Sequence, residues 1–147
     1  MKPTDKPTAF LNVQVTAIPE RDPATGKTRY RTRFNPERLL VTEHDTVINY
    51  QLVEPTPAGV RFKSVTVKPS REDQLSDPSI SESGKLVTFS DANTRAADFH
   101  LTLHFTDSGG IEFLVDPEVA NEPPPDLRPM SFMSDPEVGN EPPPDDK

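Results

Sequence analysis

Asp98 to Pro125 reads DFHLTLHFTDSGGIEFLVDPEVANEPPP, and the alternation in its first half decides the fold. Apolar and polar residues alternate on both sides of Asp107-Ser108-Gly109-Gly110, a cluster of turn-forming residues. A period of two marks a half-buried strand, and two such runs joined by a short glycine turn make a hairpin. Phe99, Leu101, Leu103 and Phe105 must then share a face with Ile111, Phe113 and Val115. Two registers satisfy that parity. A loop of Asp107 to Gly109, with Gly109 at the left-handed position, sets Phe105 against Ile111, Leu101 against Val115, His100 against Asp116 and Asp98 against Glu118. A loop of Ser108 to Gly110 sets Thr102 against Asp116 and leaves His100 on the diagonal. Both put Asp98, His100 and Asp116 on the other face, within expected cross-strand reach.

The rest of the chain repeats this grammar. Phe10 to Ile18 alternates with Leu11, Val13, Val15 and Ala17 on one side. Thr28 to Phe34 sets Arg29, Arg31 and Arg33 against Tyr30, Thr32 and Phe34. That arginine row could hold an anion or the acidic tail, but a solvated strand face is the simpler reading. Arg38 to Thr42 is a short strand, and Asp45 to Val53 a clearer one with Ile48, Tyr50 and Leu52 inward. Val60 to Val67 changes phase, which predicts a β-bulge near Ser64. Pro69 to Gly84 reads as a long surface loop, Leu86 to Phe89 as a strand, and Asp91 to Ala97 as room for one helical turn. The strand after the hairpin turn should run from Ile111 to roughly Val119. No segment shows sustained 3.6-residue apolar periodicity. The expectation is an all-β, single antiparallel sandwich or barrel of about seven or eight short strands.

Composition divides the 147 residues into a domain and an appendage. From Asp116 to Lys147 there are nine acids against two bases, a net of −7, and nine of the 18 prolines. The remainder carries 24 − 9 = 15 acids and 16 − 2 = 14 bases, so the body is near neutral. Such a balance argues against non-specific binding to nucleic acid or anionic membrane. With no cysteine there is no disulfide, thiolate nucleophile or cysteine-ligated metal. Three scattered histidines give no metal-ligand spacing, and no cofactor is implied. The opening MKPTDKPTAF lacks the apolar core of a secretory signal, so a cytoplasmic location is expected.

The chemistry of interest lies in the Asp116-Pro117 bond. A prolyl nitrogen belongs to a tertiary amide and carries no N–H, so it cannot attack the aspartate side chain. What is left is attack by the Asp116 carboxylate on its own carbonyl carbon, or by a water that it activates. Either needs a proton delivered to the nitrogen of Pro117. His100 is the first candidate donor, with Asp98 and Glu118 as carboxylate partners, one of them holding a proton if buried beside another carboxylate. Against this stands the ordinary use of Asp-Pro to open a turn.

The strand leading into Asp116-Pro117, followed by Asn121-Glu122-Pro123-Pro124-Pro125, resembles the small bacterial DP-EP proteins over residues 1–125. The resemblance implies a β-sandwich that cuts itself once at Asp116-Pro117 by aspartic-type chemistry, an autoproteolytic hydrolase whose C-terminal peptide stays docked. It also implies capture of the new aspartyl end by a nearby lysine. Here the strand Asp98 to Thr106 offers none, so Lys63, Lys68 or Lys85 would have to reach in from another strand.

The tail is then written twice. Asp116 to Asp126 is DPEVANEPPPD and Asp135 to Asp145 is DPEVGNEPPPD, so ten of eleven positions match. The expected organisation is a β-sandwich over 1–125, with 126–147 an extended or disordered linker and second copy. That copy is an inert duplication, a replacement for the first peptide in cis, or a strand added to a neighbour to build homo-oligomers. Tri-proline runs hold an extended geometry that suits docking. The chain's own C-terminal peptide is therefore the expected partner. The rival to self-cleavage is a non-catalytic binding or assembly module whose proline-rich repeats are docking strands.

Overall fold

The computed structural model describes residues 7–68 and 73–125. They form β1 (Phe10–Arg21), β2 (Thr28–Asn35), β3 (Leu39–Val41), β4 (Thr46–Leu52), β5 (Arg61–Lys68), β6 (Ser79–Ile80), β7 (Leu86–Asp91), β8 (Ala97–Thr106), β9 (Glu112–Val115) and β10 (Glu118–Asn121). One sheet runs β2-β1-β4-β7-β6. The other runs β3-β10-β8-β5, with β9 also paired to β8. The second tail copy, its preceding Met130–Ser134 segment and the first residues of the expected N-terminal arm lie outside the described residues, as does the start of the Pro69–Gly84 loop.

The sandwich is all-β as the alternation requires, but it is neither wholly antiparallel nor a closed barrel. β1 pairs with β4 in parallel, and so does β10 with β3. The reason is connectivity: the chain leaves the first sheet after β2, makes β3 in the second, and returns as β4 on the free edge of β1. Local periodicity carries no information about such a crossover. The Asp91–Ala97 segment has no helical turn. Asn93 takes a left-handed conformation (φ 51°) there, and its buried side chain donates to the carbonyls of Val41 and Glu43. β6 lies inside the stretch expected to be loop.

The two sheets bury the residues that the alternation selects. Val13, Val15, Ala17, Ile48, Tyr50, Leu52, Val87 and Phe89 from the first sheet meet Leu39, Val41, Phe62, Phe99, Leu101, Leu103, Phe105 and Val119 from the second. Phe113 of β9 is stacked between Phe105 of β8 (4.8 Å) and Tyr30 of β2 (4.5 Å), tying the hairpin to the facing sheet. The predicted bulge lies between Phe62 and Ser64. It turns both Lys63 and Ser64 outward, where one of them would otherwise face the core.

Candidate functional site

The hairpin adopts the second of its two registers. Phe105 pairs with Phe113 and Leu103 with Val115, so the loop is Ser108–Gly110. Asp107 selects it. Its Oδ1 accepts the N–H groups of Gly109 (2.9 Å) and Ile111 (2.8 Å), its own N–H donates to the Ile111 carbonyl, and Gly110 supplies the positive φ of 88°. Its Oδ2 accepts from the Tyr30 hydroxyl at 2.7 Å. That bond, reinforced by the backbone N–H of Ile111, holds the Asp107 carboxyl below its ordinary pKa. The alternative loop at Asp107–Gly109 would break up this arrangement.

This register passes unbroken through Asp116-Pro117. β10 pairs Glu118 with His100, Val119 with Phe99 and Ala120 with Asp98, continuing the numbering offset of β9. Between them the Leu101 N–H donates to the Pro117 carbonyl at 3.0 Å. The expected strand from Ile111 to Val119 is thus one ladder interrupted at a single step, where proline has no N–H to return to Leu101. Alternation of paired and unpaired positions makes Thr102 and Asp116 a pair without mutual backbone bonds, their side chains about 4.5–5.5 Å apart at Cβ. The Asp116 carbonyl therefore turns away from β8. On that side β3 begins only at Leu39, opposite Val119, so among the described residues no strand covers the carbonyl.

Three rows of side chains make up the outer face here. The middle row is Thr66, Thr102 and Asp116, with Asp116 exposed and the Pro117 ring buried on the opposite face. On one flank His104 contacts Ser64 Oγ through Nδ1 (3.3 Å) and Glu112 Oε1 through Nε2 (2.9 Å), while Lys63 Nζ holds Glu112 Oε2 at 2.6 Å. The lysine contact first, and His104 second, keep the Glu112 carboxyl below its ordinary range. The other flank carries Lys68, His100 and Glu118, with His100 Nε2 4.0 Å from Glu118 Oε2. Arg38, just ahead of β3, donates from Nε to Glu118 Oε1 at 2.9 Å and reaches Asp98 at 3.9 Å.

His100, Asp116 and Glu118 are thereby neighbours, with His100 on the diagonal. Asp98 is not one of them. It sits opposite Ala120, four residues along β8 from Thr102 and so about 13 Å up the strand, and its partner is Arg38. Nor is any of these carboxyls buried beside another, since Asp98 is 62 % exposed and Glu118 34 %. The burial that would favour a shared proton is absent. Sequence reasoning missed Arg38, because only the parallel β3–β10 pairing brings it beside Glu118. His104, an outward alternation position, is the second histidine diagonal to Asp116. Among the lysines, Lys63 is held by Glu112, and Lys85 donates to the carbonyls of Ala58 (2.6 Å) and Val60 at the end of the sandwich. Lys68 is the one in the row beside Asp116.

The sequence matches the DP-EP family over residues 9–123, most of the chain and all ten strands. The chain belongs to the DP-EP family. Its two naming dipeptides are Asp116-Pro117, the ladder interruption, and Glu122-Pro123, just past the point where the Glu122 N–H donates to the Val41 carbonyl at 2.8 Å. In this DP-EP chain, then, the whole segment between the dipeptides is the inserted strand β10. No individually curated protein matches the chain.

Proposed function

We propose that this protein cuts its own Asp116-Pro117 bond once, by aspartic-type chemistry, and keeps the released peptide docked as β10. One observation carries the reading. The bond lies at the interruption of a ladder that is otherwise paired along β8, with an exposed Asp116 carboxyl, a carbonyl on an edge that no strand among the described residues covers, and a buried proline ring. The chain on both sides is held while the step itself is accessible.

In the balanced reaction the Asp116 carboxylate adds to its own carbonyl carbon. The C–N bond breaks, the Pro117 nitrogen takes up a proton and leaves as a secondary amine, and water opens the resulting anhydride to the free aspartyl end. His100 supplies or relays the proton, oriented by Glu118, which Arg38 holds in turn. β10 is retained because β8 binds one edge and β3 the other, and because Val119, Ala120 and Asn121 are buried. The same two-edged burial favours the rival, a module in which this strand is only a docking element.

Intact mass under denaturing conditions separates the two readings. Purified protein incubated at mildly acidic pH should give fragments ending at Asp116 and starting at Pro117, and Asp116→Ala should give none. An N-terminal fragment lighter by one water than the chain ending at a free Asp116, accompanied by the peptide starting at Pro117, would identify capture of the aspartyl end, with Lys68 the acceptor to test. A single full-length mass persisting in the unsubstituted protein would rule self-cleavage out and leave the docking module.

A further inference from the structure

The slot filled by β10 makes specific demands. Pro117, Val119, Ala120 and Asn121 are buried, Glu118 meets Arg38, and the Glu122 N–H bonds to Val41. Asn121 also donates toward Gln74 and the Arg95 carbonyl, which fixes the register by a polar contact as well as an apolar one. All but one of these residues are repeated in the sequence from Asp135 to Asp145: Pro136, Glu137, Val138, Asn140 and Glu141 stand in the same order. The single difference puts Gly139 at the Ala120 position. Ala120 is 3 % exposed, so the substitution removes a methyl from a full slot and adds no volume.

We propose that the second copy is an alternative β10, and that residues Asp135 to Glu141 exchange in cis for Asp116 to Glu122 between β8 and β3. The second copy carries, at the same spacing, the valine, asparagine and glutamate that the slot uses at Val119, Asn121 and Glu118. When the second copy is seated, the 19 residues from Asp116 to Ser134 close a loop back to the end of β9. Loop-closure entropy grows only logarithmically with length, so this is a modest cost. Glycine in a strand gives up more backbone freedom than alanine, which makes the second copy roughly two- to fivefold the weaker occupant. The first copy therefore holds the slot at rest. The exchange does not depend on cleavage.

A double-mutant cycle on the full chain, with Asp116→Ala and Asp135→Ala present throughout to keep it whole, decides the matter by thermal unfolding. Val119→Asp puts a charge into the core and should expel the first copy. With a substitute available it should lower Tm by only a few degrees. Val138→Asp alone should leave Tm unchanged, and the two together should lower it by more than roughly 10 °C. If Val119→Asp alone does the damage of the pair, the second copy cannot enter the slot and the proposal fails. If Val119→Asp is rescued only with a concentration-dependent Tm and dimers in sedimentation, the occupant is a neighbour's copy and the cis exchange is refuted. Restoring both aspartates to the Val119→Asp chain adds a readout that rests on the cleavage reading, because Asp135-Pro136 then occupies the position of the cut bond. Fragments starting at Pro136 would support both ideas. Uncut protein with a retained Tm would count against self-cleavage alone.

Discussion

Asp116 has two histidines on its diagonals, and their surroundings separate them. Both ring nitrogens of His104 are engaged, by Ser64 and Glu112, whereas His100 Nε2 lies 4.0 Å from Glu118 Oε2. On the self-cleavage reading His100→Gln should slow the appearance of the Pro117 fragment by about 10²-fold or more, the usual contribution of a positioned acid. His104→Gln should leave the rate within a few-fold. Equal effects in a timed mass assay would assign the proton elsewhere. His100 is exposed, which makes a loss of folding an unsuitable explanation for its effect, since surface substitutions usually cost within about 0.5 kcal/mol. His100 was legible from alternation alone. Arg38 was not, because a residue gains a partner on a parallel neighbour strand only after the chain has crossed between sheets.

At the scale of elements, β8 is the strand on which the site depends. It contacts β5 on one edge and, on the other, β9, the Pro117 carbonyl and β10 in succession. Leu101, fully buried, donates its N–H to Pro117. Leu101→Ala should therefore destabilise the fold by about 2–5 kcal/mol in denaturant titration, as deletion of a core leucine does. A cost under about 1 kcal/mol would mean that this part of β8 is not the core its burial indicates. The hairpin's parity could be read from its apolar residues, but the choice between its two registers could not. Both registers bury the same side chains, and the decision fell to hydrogen bonds made by the Asp107 carboxylate with its own turn and with Tyr30 of another sheet.

For the molecule as a whole, the two tyrosines give a test of how the sheets close on one another. Burial, then the hydrogen bond and charge of Asp107, push the Tyr30 hydroxyl up to about 12, and burial pushes Tyr50 up further still. A raised folded-state pKa favours the neutral phenol. Its contribution to stability is thus complete below the unfolded value of about 10 and is lost as pH rises toward the folded value. Tyrosinate absorbance should lag behind that of free tyrosine above about pH 10 and then appear together with loss of the β-sheet circular dichroism signal. Two tyrosines titrating near pH 10 with the fold intact would show the Tyr30–Phe113 and Tyr50 packing to be looser than described. The opposite sign holds at the acid end. Asp107 and Glu112 have lowered pKa values, so their contribution is present above the ordinary carboxylate range and is lost as pH falls through their folded values.

By itself the sequence determined the class of fold, the inward face of each major strand, the bulge beside Ser64, the Asp116-Pro117 step and the duplicated segment. All of these are consequences of period, turn chemistry or direct repetition, which act between residues close in the chain. Tertiary structure alone decided that two strand pairs are parallel, that Asp98 lies beyond reach of Asp116 while Arg38 reaches Glu118, and that the segment between the two dipeptides is an inserted strand bound on both edges. Those outcomes depend on which sheet the chain enters after each turn. That choice is made by packing and hydrogen bonding across separations of many tens of residues, where local pattern is silent.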